Sequence, residues 1–350
     1  MEDDYDTCRE SSAAALCRGG YFLVGPTASG KTDVAQWIAE RHGAEILSAD
    51  SMLVYGGMDI GTAKPDAAAR RRVRYHGVDL TTPDRSFNVG QYLACIRLSL
   101  LDTAPTAVAE PLPPGGWPAR GGGAAGALRR PILLAVGGTG LYVKGLIQGL
   151  VAAPPANPGV RAYWTDVLEE DGIEALQEGL RQRSPGLYEA LRDKRNARRL
   201  IRALELAETG LQALPRTWEA AREIAPLAGL RPRPELRNAR IERRVRAMYA
   251  HGFLEEVQLL RTRWPALSDT ARQAIGYAEA MAHLEGRCSL DEAVAQTITR
   301  TRQLAKRQGT WFAHQANVRW IDVEDGVPVQ AIAERVMKHW SEYGPTDMRF

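Results

Sequence analysis

Residues 25–32, Gly-Pro-Thr-Ala-Ser-Gly-Lys-Thr, constrain the fold of this chain more than any other segment. They follow the apolar run 21–24 and precede residues 33–41, where Val34 and Ile38 share one side of a predicted helix. The pattern Gly-x-x-x-x-Gly-Lys-Thr between a strand and a helix is typical of a phosphate-binding loop. In such a loop, backbone N–H groups converge on phosphate oxygens at a helix N-terminus. The segment therefore predicts a site for a diphosphate or a triphosphate.

Two side chains of this loop carry the expected chemistry. Lys31 supplies a positive charge, and the Thr32 hydroxyl can hold Mg²⁺, the cofactor that we expect. The predicted diphosphate-binding residues are Gly25, Pro26, Thr27, Ala28, Ser29, Gly30, Lys31 and Thr32. The loop alone is the usual signature of ATP or GTP binding, but a nucleotide hydrolase normally also has an apolar strand that ends in a magnesium-binding acid. The best such strand, 131–136, ends in Gly-Gly-Thr, which weakens the hydrolase interpretation.

The order of predicted elements indicates an α/β protein. Residues 45–48 and 131–136 read as further strands, so that strand, loop, helix and strand alternate as in a P-loop NTPase-like parallel sheet flanked by helices. Beyond residue 160 the pattern is mostly helical. The predicted helices are 161–170, 173–181, 196–208, 238–263 and 290–314, and the predicted later strands are 225–230 and 318–323. We expect a catalytic core of residues 19–152 and 196–340, interrupted by a helical insertion domain at 153–195.

Composition limits what the remaining segments do. Residues 1–18 predict a disordered lead-in, and residues 104–130, rich in Pro, Gly and Ala, predict a surface insertion. No apolar run is long enough to span a bilayer, and the acidic start is unlike a secretory leader, so we expect a cytoplasmic protein. The four cysteines lack metal-ligand spacing, which favours reduced thiols.

Asp50 follows the second predicted strand, in Ile-Leu-Ser-Ala-Asp. The carboxyl ends of parallel strands face the ligand crevice, so we expect Asp50 beside the phosphate loop. An acid there can accept a proton from a nucleophile. The alternative is a turn or N-cap aspartate.

Basic residues concentrate in three clusters, although the net charge is only +3. The clusters consist of Arg192, Lys194, Arg195, Arg198, Arg199 and Arg202; of Arg231, Arg233, Arg237, Arg240, Arg243, Arg244 and Arg246; and of Arg300, Arg302, Lys306 and Arg307. Arginine suits phosphate oxygens, so the clusters favour a polyanion such as RNA, with the acidic residues placed elsewhere. The alternative is a set of solvated helix faces paired with glutamates.

Several longer motifs occur in an order that resembles one family, the tRNA dimethylallyltransferases of the bacterial type. Besides the phosphate loop, they are Ser-Ala-Asp-Ser-Met-Leu-Val-Tyr at 48–55, Met-Asp-Ile-Gly-Thr-Ala-Lys-Pro at 58–65, Val-Gly-Gly-Thr-Gly-Leu-Tyr at 136–142, Arg-Leu-Ile-Arg-Ala-Leu-Glu at 199–205, Ala-Ile-Gly-Tyr at 274–277 and Thr-Arg-Gln-Leu-Ala-Lys-Arg-Gln at 301–308. The resemblance runs from about residue 21 to residue 323.

The resemblance implies transfer of a dimethylallyl group from dimethylallyl diphosphate to N6 of an adenine in tRNA, releasing diphosphate. In this family the adenine is position 37, next to the anticodon, of tRNAs that read codons starting with U. The implied catalytic residues are Asp50 as general base, Lys31, Thr32 with Mg²⁺, and Arg244 on the diphosphate. The implied tRNA contacts are Asp50, Ser51, Met52, Leu53, Thr139, Arg161, Arg198, Arg199, Leu200, Ile201, Arg202, Gln273, Ala274, Ile275, Gly276 and Tyr277. The insertion domain would share in tRNA binding, and we expect a monomer without a membrane partner.

The chain departs from the family pattern at three places: the insertion 104–130 is longer, Gly309 replaces a larger apolar residue, and Ala313 stands where arginine is common. Alternative functions also remain at this point. An ATP-dependent small-molecule or nucleoside kinase would use the same loop, a non-catalytic RNA-binding protein would retain it for stability, and a related enzyme would prenylate free adenine nucleotides.

Overall fold

The computed structural model describes residues 17–101, 131–149, 154, 157–191, 193–211 and 226–350. The predicted insertion 104–130, most of the predicted lead-in and Arg192 lie outside these residues. The end of the lead-in is a correction, because the first strand already begins at Cys17, where it pairs with the last strand of the chain.

The elements follow one another as β1 (Cys17–Val24), α1 (Lys31–His42), β2 (Glu45–Ser48), α2 (Ala67–Arg72), β3 (Tyr75–His76), α3 (Val89–Leu101), β4 (Leu133–Gly137), α4 (Gly140–Gln148), α5 (Pro158–Arg183), α6 (Pro185–Ala190), α7 (Ala197–Glu208), β5 (Leu227–Pro232), α8 (Pro234–Ala250), α9 (Phe253–Arg263), α10 (Asp269–Arg272), α11 (Tyr277–Leu284), α12 (Leu290–Gln315), β6 (Val318–Val323), α13 (Val329–Tyr343) and β7 (Thr346–Arg349).

The sheet has the strand order β3-β2-β4-β1-β5-β6, and all of these neighbours are parallel. β7 pairs antiparallel with the first half of β1. The parallel α/β sheet predicted from the sequence is thereby confirmed. β1 has β4 and β5 as neighbours, and β2 lies beside β4, so the loops that follow β1, β2 and β4 emerge at one edge of the sheet.

The sheet separates two apolar layers, because successive residues of a strand point to opposite faces. Leu23 packs with Val34 and Ile38 of α1 and with residues of α13. Its neighbour Phe22 belongs to the other layer, which holds α3, α4, α8 and α12. Apolar residues on both faces explain why strands such as β4 are buried along their whole length.

One predicted helix has different bounds in the structure. The predicted helix 238–263 is two helices, α8 and α9, because Gly252 adopts a left-handed φ of 87° between them. An apolar periodicity does not register this single glycine. The predicted separation of helices 161–170 and 173–181 is confirmed, because Gly172 (φ 81°, ψ −174°) is non-helical and kinks the element α5 between them.

The chain divides into two compact units, one of residues 1–149 with 221–350 and one of residues 150–220. The second unit extends beyond the predicted insertion 153–195, because α7 belongs to it rather than to the core. Leu200 and Leu204 of α7 share an apolar cluster with Leu176 and Leu180 of α5, and this packing fixes the assignment. Among the helices of the described ranges, none is both long and apolar enough to cross a membrane.

Candidate active site

The phosphate loop connects β1 to α1 in a conformation that needs its glycines. Gly25 and Gly30 have φ of 151° and 87°, and Ala28 is also left-handed, at 64°. A Cβ atom on Gly25 would lie 2.7 Å from the carbonyl oxygen of Leu230 on the neighbouring β5. The α1 helix begins at Lys31, so its free N–H groups face the loop.

Three polar groups of the loop suit an anionic ligand. The Lys31 ammonium donates to the carbonyl of Pro26 at 3.0 Å, which places its charge across the loop. The Ser29 hydroxyl is buried and has no hydrogen-bond partner among the described residues. Thr32, the predicted magnesium ligand, lies exposed in the first turn of α1. A bound diphosphate with Mg²⁺ would satisfy these groups.

Lys31, Asp50 and Arg244 form one electrostatic group, although they come from α1, the end of β2 and α8. Burial lowers the pKa of Lys31 to about 8, while Asp50 acts to raise it and Arg244 to lower it further. Burial also lowers the pKa of Arg244, and attraction by Asp50 and Asp33 opposes this change. Two partly buried cations beside one carboxylate make a site that attracts negative charge.

Asp50 is held in a turn immediately after β2. Its Oδ1 accepts a hydrogen bond from the Met52 amide at 2.9 Å, as the turn-aspartate alternative requires. Its Oδ2 accepts no hydrogen bond from the described residues, which leaves that oxygen available to a substrate. Asp50 is therefore compatible with both interpretations, as a turn aspartate and as a proton acceptor.

Thr139 ties the end of β4 to the segment after Asp50. Its hydroxyl accepts from the Ser51 amide at 3.0 Å, and its own amide donates to the Ala49 carbonyl at 3.2 Å. The same turn explains why no acid follows β4. A side chain at Gly137 would collide with the Ala49 backbone, and one at Gly138 would lie 2.7 Å from the Gln308 amide nitrogen.

Gln308 is a site residue that lies in the 301–308 motif, but the sequence pattern indicated no role for it. Its Oε1 accepts hydrogen bonds from the amide and the hydroxyl of Thr27, at 2.8 and 3.1 Å. Its Nε2 faces Gly138. The only sign of this role in the sequence is that an uncharged amide side chain follows two basic residues at the end of the 301–308 motif.

A pocket opens beside the loop, with about 290 Å³ of free space including its open mouth. Its lining residues are Thr27, Gly61, Ile241, Arg244, Val245, Met248, Ile275, Thr297 and Thr301. The wall combines four aliphatic side chains with three threonines, and Arg244 is its charged member, so one cavity brings an anion-binding group and apolar surface together. The sequence alone did not identify these walls.

The motif 58–65 proves to be the support of this wall. Lys64 is buried and donates to the Tyr55 carbonyl at 2.8 Å, to Asp59 at 2.5 Å and to Asp79 at 2.7 Å. Glu256 of α9 accepts from three successive amides, those of residues 59–61. The motif therefore fixes the backbone at Gly61 rather than supplying reactive side chains.

The predicted tRNA contacts differ in exposure. Arg161, Arg198, Arg199 and Gln273 are exposed, while Asp50, Ser51, Met52, Leu53, Thr139, Arg202 and Ile275 are partly exposed. The structure instead buries Leu200, Ile201, Ala274, Gly276 and Tyr277. Leu200 and Ile201 pack in the apolar cluster of their own unit, because they lie on the covered face of α7, which also carries the exposed Arg198 and Arg199. Ala274 and Tyr277 pack in the core cluster of the other unit.

The basic clusters contain acids, which corrects the expectation that the acids lie elsewhere. Arg202 pairs with Glu205, and Arg302 pairs with Glu242. Arg300 pairs with Glu279, which is buried. Neighbouring turns and packed helices bring these partners together, which a linear count of charges does not reveal.

Comparison with known proteins assigns the family. A family model described as IPP transferase matches residues 53–104 and 125–315, and a model described as isopentenyl transferase matches residues 19–76. The two matches together include the phosphate loop, the Thr139 turn, Arg244 and Gln308.

Individual relatives agree with these matches. A tRNA dimethylallyltransferase of Anaeromyxobacter dehalogenans is 38% identical over 91% of this chain and 98% of its own. That of Thermus thermophilus is 39% identical over 84% of this chain and 89% of its own. The solved structure of a tRNA isopentenylpyrophosphate transferase of Bacillus halodurans covers 93% of this chain and 98% of its own, with a TM-score of 0.57 and 30% identity. The chain therefore belongs to the IPP transferase family and is an enzyme related to these tRNA dimethylallyltransferases.

Proposed function

We propose that this enzyme transfers the dimethylallyl group of dimethylallyl diphosphate to N6 of an adenine in tRNA. A bond forms between N6 and C1 of the prenyl group, the C1–O bond to diphosphate breaks, and N6 loses a proton. The finer assignment is position 37 of tRNAs that read codons starting with U. Only the resemblance of the motifs supports it.

The phosphate loop and two cations would stabilise the departing diphosphate. Negative charge grows on the bridging oxygen as the C1–O bond breaks, and preorganised donors lower the barrier most where charge develops. The loop amides, Lys31 and Arg244 supply such donors, and burial of both cations strengthens their interaction with an anion.

Mg²⁺ bound at Thr32 would neutralise further charge on the diphosphate. No group of three His, Cys, Asp or Glu side chains in the described ranges could hold a metal ion by itself. Magnesium commonly retains several waters and binds through substrate phosphates, so a single hydroxyl beside the loop fits this ion.

Asp50 is the proposed general base. The lone pair of the adenine N6 amine is delocalised into the ring, so the amine is a weak nucleophile that gains from orientation and proton removal. The Met52 amide holds Oδ1, and Oδ2 remains available to accept from N6. The Thr139–Ser51 hydrogen bond keeps the following segment in place.

The cavity bounded by Ile241, Val245 and Met248 is the proposed prenyl site. Its aliphatic side chains would contact the five-carbon group and limit access of water to the allylic carbon. Arg244 lines the same cavity and would contact the diphosphate at its mouth.

The observation that carries the proposal is the grouping of Lys31, Asp50 and Arg244 at one edge of the sheet. The test incubates the enzyme with radiolabelled dimethylallyl diphosphate, Mg²⁺ and unmodified tRNA, with and without ATP. Asp50→Asn and Asp50→Ala are compared with Asp325→Asn, which alters an exposed carboxylate.

We expect label in tRNA with the wild type and with Asp325→Asn, independent of ATP. Loss of the base should reduce the rate on the order of 10²-fold or more. Absence of label in tRNA, together with transfer of phosphate from ATP to another acceptor, would instead favour the kinase. Label in free adenine nucleotides but not in tRNA would favour the related enzyme that prenylates them.

A further inference from the structure

A buried carboxylate lies between two arginines of the helical unit. Glu205 of α7 has a side chain that is only 1% exposed. Its Oε1 accepts from Arg161 Nε at 2.7 Å, and its Oε2 accepts from Arg161 Nη2 at 3.1 Å and from Arg202 Nη1 at 2.9 Å. Arg202 is further held by the carbonyl of Pro154, to which Nη2 donates at 2.6 Å.

The two arginines differ from Glu205 in their exposure. The side chains of Arg161 and Arg202 are 52% and 32% exposed, so both reach solvent beside a shared buried carboxylate. A guanidinium has five N–H donors, and the bonds above use only some of those of each arginine. The others remain for ligands outside the protein, and the triad retains one net positive charge.

Stability alone does not account for this arrangement. Burying a carboxylate carries a desolvation penalty, and an apolar residue of similar size in the same place is often as stabilising as a buried ion pair. What the carboxylate adds is geometry, because the two-pronged bond fixes the plane of the Arg161 guanidinium and sets its spacing from Arg202. Long arginine side chains otherwise lose considerable rotamer entropy when they bind.

We infer that Glu205 is a positioning residue that holds Arg161 and Arg202 in the orientation in which they grip phosphate oxygens of the tRNA. The inference rests on the proposed function, since it requires tRNA as the substrate. It adds to the implied contacts a buried residue that touches no nucleic acid itself and acts through the two arginines.

The test replaces the carboxylate by its neutral isostere, Glu205→Gln, with Glu208→Gln as the matched control. Glu208 lies on the same helix, is exposed and pairs only with Arg183 among the described residues. We expect Glu205→Gln to raise KM for tRNA about tenfold, because a charge-assisted hydrogen bond is lost from each arginine. The kcat at saturating tRNA and the KM for dimethylallyl diphosphate should stay at the wild-type values, since the donor site is unaltered.

A structural role predicts a different outcome. It would lower the melting temperature of Glu205→Gln and leave KM for tRNA unchanged below that temperature, which would overturn the inference. In an Arg161→Ala, Arg202→Ala background, Glu205→Gln should have little further effect on tRNA binding. Equal losses in both backgrounds would mean that Glu205 does not act through the arginines.

A second variant decides the question if Glu205→Gln fails to fold. Arg161→Lys retains the charge but cannot make the two-pronged bond, so it should raise KM for tRNA several-fold. An unchanged KM would overturn the inference.

Direct tRNA binding without the prenyl donor, measured at several salt concentrations, separates this inference from the proposed function. If the wild type binds tRNA more tightly than Glu205→Gln does but transfers no prenyl group, only the proposed function is contradicted.

Discussion

The side-chain oxygen of Gln308 accepts hydrogen bonds from both the amide and the hydroxyl of Thr27, at 2.8 and 3.1 Å, across 281 residues of sequence. Thr27 lies in the phosphate loop near the start of the chain and Gln308 lies in α12, so a helix late in the chain holds this loop. The same glutamine faces Gly138, where an acid would stand in many nucleotide hydrolases. One residue thus orders two of the turns that form the edge of the site.

Replacing Gln308 by alanine should weaken donor binding. Two hydrogen bonds to Thr27 are lost, at about 1 kcal/mol each, so KM for dimethylallyl diphosphate should rise by up to roughly 30-fold. Steady-state kinetics at saturating tRNA measures this effect. Gln303→Ala, an exposed change on the same helix, is the control and should leave that KM unaltered. Equal values for Gln308→Ala and the wild type would show that the loop holds its shape without this contact.

Binding of diphosphate should depend on pH through Lys31. The pKa of this side chain in the free enzyme is about 8. Below about pH 8 the Lys31 ammonium is charged and attracts the anion. Above this pH the side chain is neutral, and binding must take up a proton to restore the charge. The affinity for diphosphate should therefore fall as the pH rises through about 8. Isothermal titration with diphosphate and Mg²⁺ measures the slope.

Lys31→Arg separates the ionisation of the enzyme from that of the ligand. Arginine stays protonated throughout this range, so its profile contains only the ligand's own titration. The difference between the two profiles should change near pH 8. Parallel profiles would exclude Lys31 as the titrating group.

Loss of the Glu256 carboxylate should destabilise the wall at Gly61. Its oxygens accept from the amides of residues 59–61 and, at 2.6 Å, from the Tyr277 hydroxyl. Glu256→Gln removes the charge that strengthens these bonds, and we expect about 1–3 kcal/mol of lost unfolding free energy. Urea denaturation provides the measurement. Glu255→Gln, one residue earlier and exposed, should change stability by less than about 0.5 kcal/mol.

Two glycine-to-alanine substitutions should have opposite effects. A Cβ atom at Gly61 would lie 2.5 Å from a carbon of the Tyr277 ring, so Gly61→Ala should cost about 1–3 kcal/mol by overpacking. Gly309 lies inside α12, where an added Cβ atom would have no other atom within 4 Å, so Gly309→Ala should stabilise the helix by about 0.5–1 kcal/mol. Thermal unfolding of both variants tests the pair, and a destabilised Gly309→Ala would contradict the open surroundings of this glycine.

The sequence by itself determined the phosphate loop, the acid at the end of β2 and the parallel α/β class. Local patterns carry these features: a strand, a glycine-rich turn and a helix follow one another directly, and Asp50 ends an apolar run. The tertiary structure decided everything that joins distant segments. Gln308 reaches Thr27, Arg244 meets Lys31 and Asp50, and Glu205 unites Arg161 with Arg202, because helices far apart in sequence pack together. It also separated the exposed arginines of α7 from the buried Leu200 and Ile201, since only packing shows which face of a helix is covered.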